Sequence, residues 1–340
     1  MPAATVPDGE RERVPSGRSA PPAGLDAGRL RAALAGLRIG QHVEVRATVG
    51  STMDALAALA EAGAAEGTVL LADEQRAGRG RHGRVWHTPP GVALALSVLF
   101  RPELPVERLP QIPMAVALAA LDALEPRVPD PRDLALKWPN DLLVGEAKIA
   151  GLLSEVVWGR EKDGEGAEGA AMSQAAAKHG AAPAGTRPRL IIGLGLNVRQ
   201  SADALPEGAT SVAALRQAAE QRQEEGLVSP NEASGDPLLD RTSLAIDLLH
   251  ALDAHYAALT AGADLVPAWA RRLATIGREV VAHPAASGSP GAAAIAGAPP
   301  VRGRAVGVAP SGALRIATER GEVLVHAGDV TLQPPPARSS

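Results

Sequence analysis

The chain has 340 residues, 46 % of them apolar, and a net charge of −4. That leaves room for one sizeable domain and a smaller one, and argues against a protein that coats nucleic acid, which needs a basic face. The absence of cysteine excludes disulfides, thiolate catalysis and thiolate metal sites. No apolar run reaches the roughly 18 residues of a membrane span and the Met1 end has no signal-peptide core, so a soluble, cytoplasmic protein is expected.

Residues Met1 to about Gly24 are rich in Pro, Gly, Arg and Ala without period and read as a disordered tail, too short and Pro-rich for a helix-turn-helix domain. Leu30, Leu34 and Leu37 at helical spacing predict a short helix over Asp26–Leu37. Gln41–Thr48 alternates as a strand, and Ser51-Thr52-Met53-Asp54 begins a helix through Ala62, with Ser51 or Thr52 as N-cap and Gly63 closing it. Those two hydroxyls would equally suit a ligand bound at that helix start.

Thr68–Asp73 is a strand delivering Gln75-Arg76-Ala77-Gly78-Arg79-Gly80-Arg81-His82-Gly83-Arg84-Val85-Trp86, which holds four arginines, three glycines and no acid. Glycine lets backbone approach a ligand closely, and arginine offers a planar, permanent charge that fits phosphate or carboxylate. The stretch reads as an anion cradle, against the plainer reading of a flexible surface loop. Its Gly-x-Gly-x-x-Gly spacing is not a dinucleotide motif, because an apolar strand, Gly91–Arg101, follows where a helix is needed. Nor is it a kinase loop, since His-Arg-Asp and Asp-Phe-Gly are absent.

A helix is expected over Leu109–Leu124, a strand over Leu134–Trp138, and a hairpin through Leu142-Leu143-Val144, the turn Gly145-Glu146 and Lys148–Trp158. Lys137-Trp138-Pro139-Asn140-Asp141 ends the first of these strands; Asn140-Asp141 makes a turn, or holds a ribose, a metal ion or a catalytic arginine. Lys148 lies inside an apolar strand ahead of Ile149-Ala150-Gly151; edge decoration is the usual reading, but beside an arginine cradle it points to a site. Gly159–Pro188 and Gln217–Asp236 read as polar disordered insertions. Between them Arg189–Val198 is a buried strand whose glycines suggest close approach. An amphipathic helix over Arg241–Leu259 and a shorter one over Leu265–Leu273 follow. Short strands at Glu279–Ala282, Val301–Val308, Ala313–Thr318, Glu322–His326 and Val330–Leu332 then predict a small β-barrel beyond a boundary near Ile276. The eight histidines show no ligand spacing, and no Gly-x-Ser-x-Gly nucleophile occurs.

Ser51-Thr52-Met53, Asp73 through Trp86, Lys137-Trp138-Pro139-Asn140-Asp141, Lys148-Ile149-Ala150-Gly151 and Gly193-Leu194-Gly195-Leu196-Asn197-Val198 together resemble the biotin protein ligases in order and spacing, over roughly residues 40 to 333. The resemblance implies an α+β fold: a mixed sheet with helices like that of the class II aminoacyl-tRNA synthetases and biotin ligases, plus an SH3-like β-barrel. It divides the chain into a disordered tail and short helix (1–38), a catalytic domain (39–276, with disordered insertions at about 160–188 and 217–236), the β domain (277–333) and a tail (334–340). It implies a two-step ligase. Biotin and Mg-ATP give biotinyl-5′-AMP, and the lysine of a biotin carboxyl carrier domain, of acetyl-CoA carboxylase or a related carboxylase, then takes the biotin. By position, Ser51, Thr52, Met53, Gln75, Arg79, Gly80, Arg81, Lys148 and Gly151 would bind biotin. Arg79, Arg81, Arg84, Trp86, Asn140, Lys148 and Asn197 would bind ATP and the adenylate, with Lys148, Arg79 and Arg81 catalytic and Asp141 a Mg²⁺ ligand.

Strands such as Gly91–Phe100 are expected to wall the biotin site. Family members that repress transcription carry an N-terminal winged helix, and only the Pro-rich tail stands here. No DNA binding, no membrane and a monomer or weak homodimer are therefore expected. Lipoate ligases share the fold and the adenylation step, but Gly-Arg-Gly-Arg followed by Lys-Trp-Pro-Asn-Asp favours biotin. A non-catalytic biotin or adenylate sensor is opposed by the retained Lys148 and loop arginines.

Overall fold

The structure is a computed structural model that describes residues 24–160, 186–224, 236–284 and 299–332. The larger part runs α1 (Ala27–Ala33), β1 (His42–Val49), α2 (Thr52–Glu61), β2 (Thr68–Gln75), β3 (Ala93–Phe100), α3 (Gln111–Leu124), β4 (Leu134–Lys137), β5 (Asp141–Val144), β6 (Ala147–Arg160), β7 (Thr186–Asn197), α4 (Val212–Glu224), α5 (Arg241–Thr260) and α6 (Val266–Arg271). Its seven strands form one sheet in the order β1-β2-β3-β7-β6-β5-β4. Only β1 and β2 pair in parallel, across the α2 crossover; the other pairs are antiparallel.

Every residue of β3 is buried, as expected of a strand covered on both faces. Leu94, Leu96, Val98 and Phe100 face the larger core with α3 and α5, and Leu99 joins Met53, Leu56 and Ala60 of α2 on the other side. The helix α3 is apolar nearly all round because it lies between the sheet, α5 and α6. Leu244, Leu248, Leu249, Leu252, Tyr256 and Leu259 line the inward stripe of α5; each such burial contributes roughly 1.5–3 kcal/mol. Tyr256 meets Phe100 edge-on with centroids 5.0 Å apart. No helix among the described residues is long and apolar enough to cross a membrane.

The second sheet contains β8 (Glu279–Pro284), β9 (Val301–Val308), β10 (Leu314–Thr318), β11 (Gly321–Val325) and β12 (Gly328–Leu332), all antiparallel, in the order β11-β10-β9-β8-β12. The strands are those expected, but the barrel is not closed. The strand β12 pairs with β8 and β11 with β10, so the two lie at opposite edges. The sheets are joined through Trp138, whose backbone N–H donates to Thr275 Oγ1 (3.0 Å) and whose indole donates to the Gly312 carbonyl (3.0 Å). The outer edge of β4 is covered by residues 272–274 through a bridge from Leu136 to Leu273, which removes an open edge.

Two further expectations are corrected. The second polar insertion does not begin at Gln217: α4 runs to Glu224. Its Ala, Gln, Glu and Arg are good helix formers, and Val212 and Leu215 give it an apolar footing on the core. The first insertion is narrower than 160–188, because β6 and β7 stay paired out to Arg160 and Thr186. What remains of both insertions, the tail before Gly24, most of the Ala285–Pro300 segment and the 334–340 tail lie outside the described residues.

Candidate active site

The arginine stretch leaves β2 and re-enters at β3 as a ladder of backbone bonds: Gln75 N–H to Thr88 O (3.1 Å), Trp86 N–H to Gly78 O (2.9 Å) and Gly80 N–H to Arg84 O (2.7 Å). Its tip is a turn at Arg81–Gly83, where His82 takes φ 56°. Gly78 has no room for a side chain; a Cβ would lie 2.2 Å from the Trp86 carbonyl oxygen. The stem is clamped by Arg241. Its guanidinium, 1 % exposed, pairs with Asp73 Oδ1 of β2 at 2.7 Å and donates to the Ala93 carbonyl of β3 at 3.1 Å.

Beneath the loop is a cavity of about 570 Å³, within the usual range for a small-molecule site. All the site residues expected from the sequence line it: Ser51, Thr52, Met53, Gln75, Arg79, Gly80, Arg81, Arg84, Trp86, Asn140, Asp141, Lys148, Gly151 and Asn197. Of the expected wall from Gly91–Phe100, Val92 alone lines the cavity. Leu94, Leu96, Val98, Leu99 and Phe100 of β3 belong to the two cores, and the floor comes from β6 and β7 instead. In the register, Gly151 of β6 faces Gly195 of β7, and Gly193 is next in line. These glycines make a flat floor: Met53 lies on Gly193 and Trp86 on Gly195.

Lys148 reaches the cavity by way of a bulge. The β5–β6 register shifts between Leu142 and Leu143, leaving Ile149 as the extra residue. Lys148 and Gly151, three apart in sequence, then line the same cavity, which an unbroken strand would not allow. Gly151 gives the ammonium its berth, since a Cβ there would be 3.0 Å from Nζ. Nζ pairs with Asp141 Oδ1 at 2.6 Å and stands 5.5 Å from the centre of the Trp86 ring, within cation–π range. The backbone of Lys148 is tied to the next segment: its N–H donates to Gly208 O and its carbonyl accepts from Thr210 N–H, both at 2.8 Å.

Ser51 stands at the N-cap of α2 but its hydroxyl makes no capping bond. Gln75 does that work from the neighbouring strand, its Oε1 accepting from Thr52 N–H (2.9 Å) and Thr52 Oγ1 (3.0 Å). Asn197 is likewise engaged at both ends of its amide, with Thr210 O and Gln200 Nε2 each at 3.0 Å, and pins the segment after β7. Asn140 donates to Leu152 O (2.7 Å) and accepts from Arg81 (3.1 Å).

The loop arginines are not all turned inward. Arg79 lies toward the rim, bonded to Glu155 (2.7 and 3.2 Å) and paired with Asp54 (2.8 Å). Those two acids hold its guanidinium there. Arg81 is the inward one: burial pushes its pKa below the ordinary guanidinium value, against the pull of Asp329 and Asp141. Arg84 is 71 % exposed and pairs with Asp329 Oδ2 at 2.6 Å. The Trp86 indole nitrogen is buried without a hydrogen-bond partner, a donor available to a ligand.

Sequence reasoning missed two parts of the lining. The segment from Arg199 to Ala209, with Ala204, Leu205 and Pro206, forms one wall; its signal was its place directly after Asn197. Asp329 comes from β12 of the other sheet, and nothing local marks it. No cluster of three or more His, Asp or Glu suited to a metal ion occurs among the described residues, and Asp141 is already paired with Lys148.

Residues 45–165 match the Biotin/lipoate A/B protein ligase family and residues 293–332 the Biotin protein ligase C terminal domain. The chain is 33 % identical over 176 residues to a bifunctional ligase/repressor of Bacillus spizizenii, covering 52 % of this chain and 46 % of that protein. It is 35 % identical over 202 residues to a biotin--[acetyl-CoA-carboxylase] ligase of Mycobacterium tuberculosis, covering 58 % of this chain and 65 % of the relative. The chain thus spans about half the length of the first of these and under two thirds of the second. A biotin protein ligase from Aquifex aeolicus, solved with biotin and ATP, shares the fold, with a TM-score of 0.56 at 24 % identity over 87 % of this chain and 100 % of that one. Matches to both of these domains thus occur in this order along the chain, on a fold shared with a solved biotin protein ligase.

Proposed function

We propose that the protein is an ATP-dependent ligase that activates biotin as biotinyl-5′-AMP and transfers it to a lysine of a biotin carboxyl carrier domain. The observation that carries this reading is Lys148, set by a bulge between Asp141 and the Trp86 ring, in the same glycine-floored cavity as Arg81. In the first step a biotin carboxylate oxygen attacks the α-phosphorus of ATP and pyrophosphate leaves. Two anions meet, so cations aimed at the reacting atoms lower the barrier. Lys148 and Arg81 supply them, and Arg79 joins by exchanging Asp54 and Glu155 for substrate. The ring system rests on the glycine floor beside Ser51, Thr52, Met53 and Gln75. The nucleotide lies toward Asn140, Asn197 and the Leu205-Pro206 wall, with Arg84 at its phosphates and Trp86 covering the acyl-phosphate from water. In the second step the carrier's lysine amine attacks the acyl carbon and AMP leaves.

Mg²⁺ would accompany ATP as its counter-ion and offset phosphate charge; of the lining residues Asp141 would hold it, loosening its hold on Lys148. The substrate carrier belongs to acetyl-CoA carboxylase or a related carboxylase, and the reaction to the cytoplasm. Incubation with biotin, Mg-ATP and a carrier domain tests the reading by streptavidin blot. Biotinylated carrier is expected; modification by lipoate and not biotin would move the assignment to a lipoate ligase.

A further inference from the structure

One carboxylate of the C-terminal sheet meets two arginines and a histidine at the tip of the arginine loop. Asp329 Oδ1 lies 3.3 Å from Arg81 Nη1 and 3.4 Å from His82 Nε2, and Oδ2 lies 2.6 Å from Arg84 Nη2. The preceding residue adds to the grip, the Gly328 carbonyl accepting from Arg81 at 3.0 Å. The grip spans 245 residues of sequence and joins the loop tip, where His82 takes its left-handed φ, to a different sheet. Asp329 also lines the cavity, so an acid stands beside the arginines that an anionic substrate needs.

We propose that Asp329 is a positioning residue: it holds the arginine loop closed on the C-terminal sheet before substrate arrives, then yields Arg81 and Arg84 to the substrate's phosphates. The second half rests on the ligase reading; the first does not. Two features of the site fit this role. Arg84 is far more exposed than Arg81, so Asp329 and not burial fixes its place. Arg81 keeps Asn140 as a second partner, so releasing the acid re-aims the loop without setting its tip adrift.

The loop's own arginines make trypsin a direct reporter. In the full chain without ligand, cleavage after Arg81 and Arg84 is followed by mass spectrometry for wild type, Asp329→Asn and Asp329→Glu. Asp329→Asn should be cut there about tenfold faster, the loss expected when several partly exposed ion pairs go together, with an unchanged melting temperature. Asp329→Glu should restore most of the protection. Raising the salt should speed cleavage of the wild type and of Asp329→Glu but not of Asp329→Asn, since screening removes what the charge provides. Wild-type cleavage of Asp329→Asn, or no rescue by glutamate, overturns the proposal. Biotin with ATP should then slow cleavage in every variant; if it protects none of them, the ligase reading fails while the ligand-free comparison still decides the role of Asp329.

Discussion

Gly195 lies directly beneath the indole of Trp86, where a Cβ would sit 2.3 Å from Nε1 and 2.4 Å from Cε2. The missing side chain is what lets the loop close flat on β7. Trp86 is the last residue of the arginine stretch, so its seat sets how deep the loop can descend.

Gly195→Ala should therefore lift Trp86 and weaken biotin binding about tenfold, the effect of overpacking by roughly 1–3 kcal/mol. The fold should change little, because the indole and not the sheet must shift. Calorimetric biotin titration beside a thermal melt checks this; wild-type affinity would mean the loop closes by another route.

Lys148→Ala should slow ATP-dependent pyrophosphate release about a hundredfold or more, the usual loss of one transition-state charge contact. The side chain is 33 % exposed, so circular dichroism and melting temperature should stay near wild type. Undiminished pyrophosphate release would take Lys148 out of the chemistry.

Arg241→Ala should destabilise the protein by about 3 kcal/mol, since it removes a buried guanidinium and leaves the Asp73 carboxylate with the Leu25 N–H alone of these two partners. Urea unfolding at neutral pH measures it. A cost under about 1 kcal/mol, as for exposed pairs, would show that the loop stem is held by something else.

Asp240 caps α5 and pairs with Arg29 of α1. Burial pushes its pKa up, but hydrogen bonds from Ser243, Arg29 and the Thr242 N–H outweigh this and hold it below the ordinary carboxylate value. A depressed folded pKa means the stabilisation is complete above the unfolded value of about 4 and is lost as pH falls through the folded one. Asp240→Asn should thus cost stability at pH 7 and cost little near pH 2. Equal costs at both pH values would refute the linkage.

Much of the fold was legible because its elements carry clear patterns, β3 as an unbroken apolar run of strand length and α5 as a stripe of period 3.6. What failed depended on partners distant in sequence. Whether five short strands close into a barrel is decided by whether β11 and β12 meet, and neither contains that information. The helix α4 was lost because a polar surface helix looks like a polar loop until its two apolar anchors are placed on the core. At the site, the residue types and their order marked the cavity lining, but not the direction of each side chain. Arg79 points to the rim because Asp54 and Glu155 stand there, and Gln75 faces Thr52 because β1 and β2 run parallel. Asp329 was invisible for the same reason: its meaning comes from Arg81 and Arg84, not from its neighbours.

The two backbone bonds that join Lys148 to Gly208 and Thr210 make one wall of the cavity an extension of the other. The Leu205-Pro206 segment cannot peel away at its far end without unzipping the strand position that carries the lysine. Amide hydrogen exchange should therefore see Lys148 and Thr210 open together, as a single unit. Any ligand that settles against that segment should therefore stiffen the backbone of Lys148 as well.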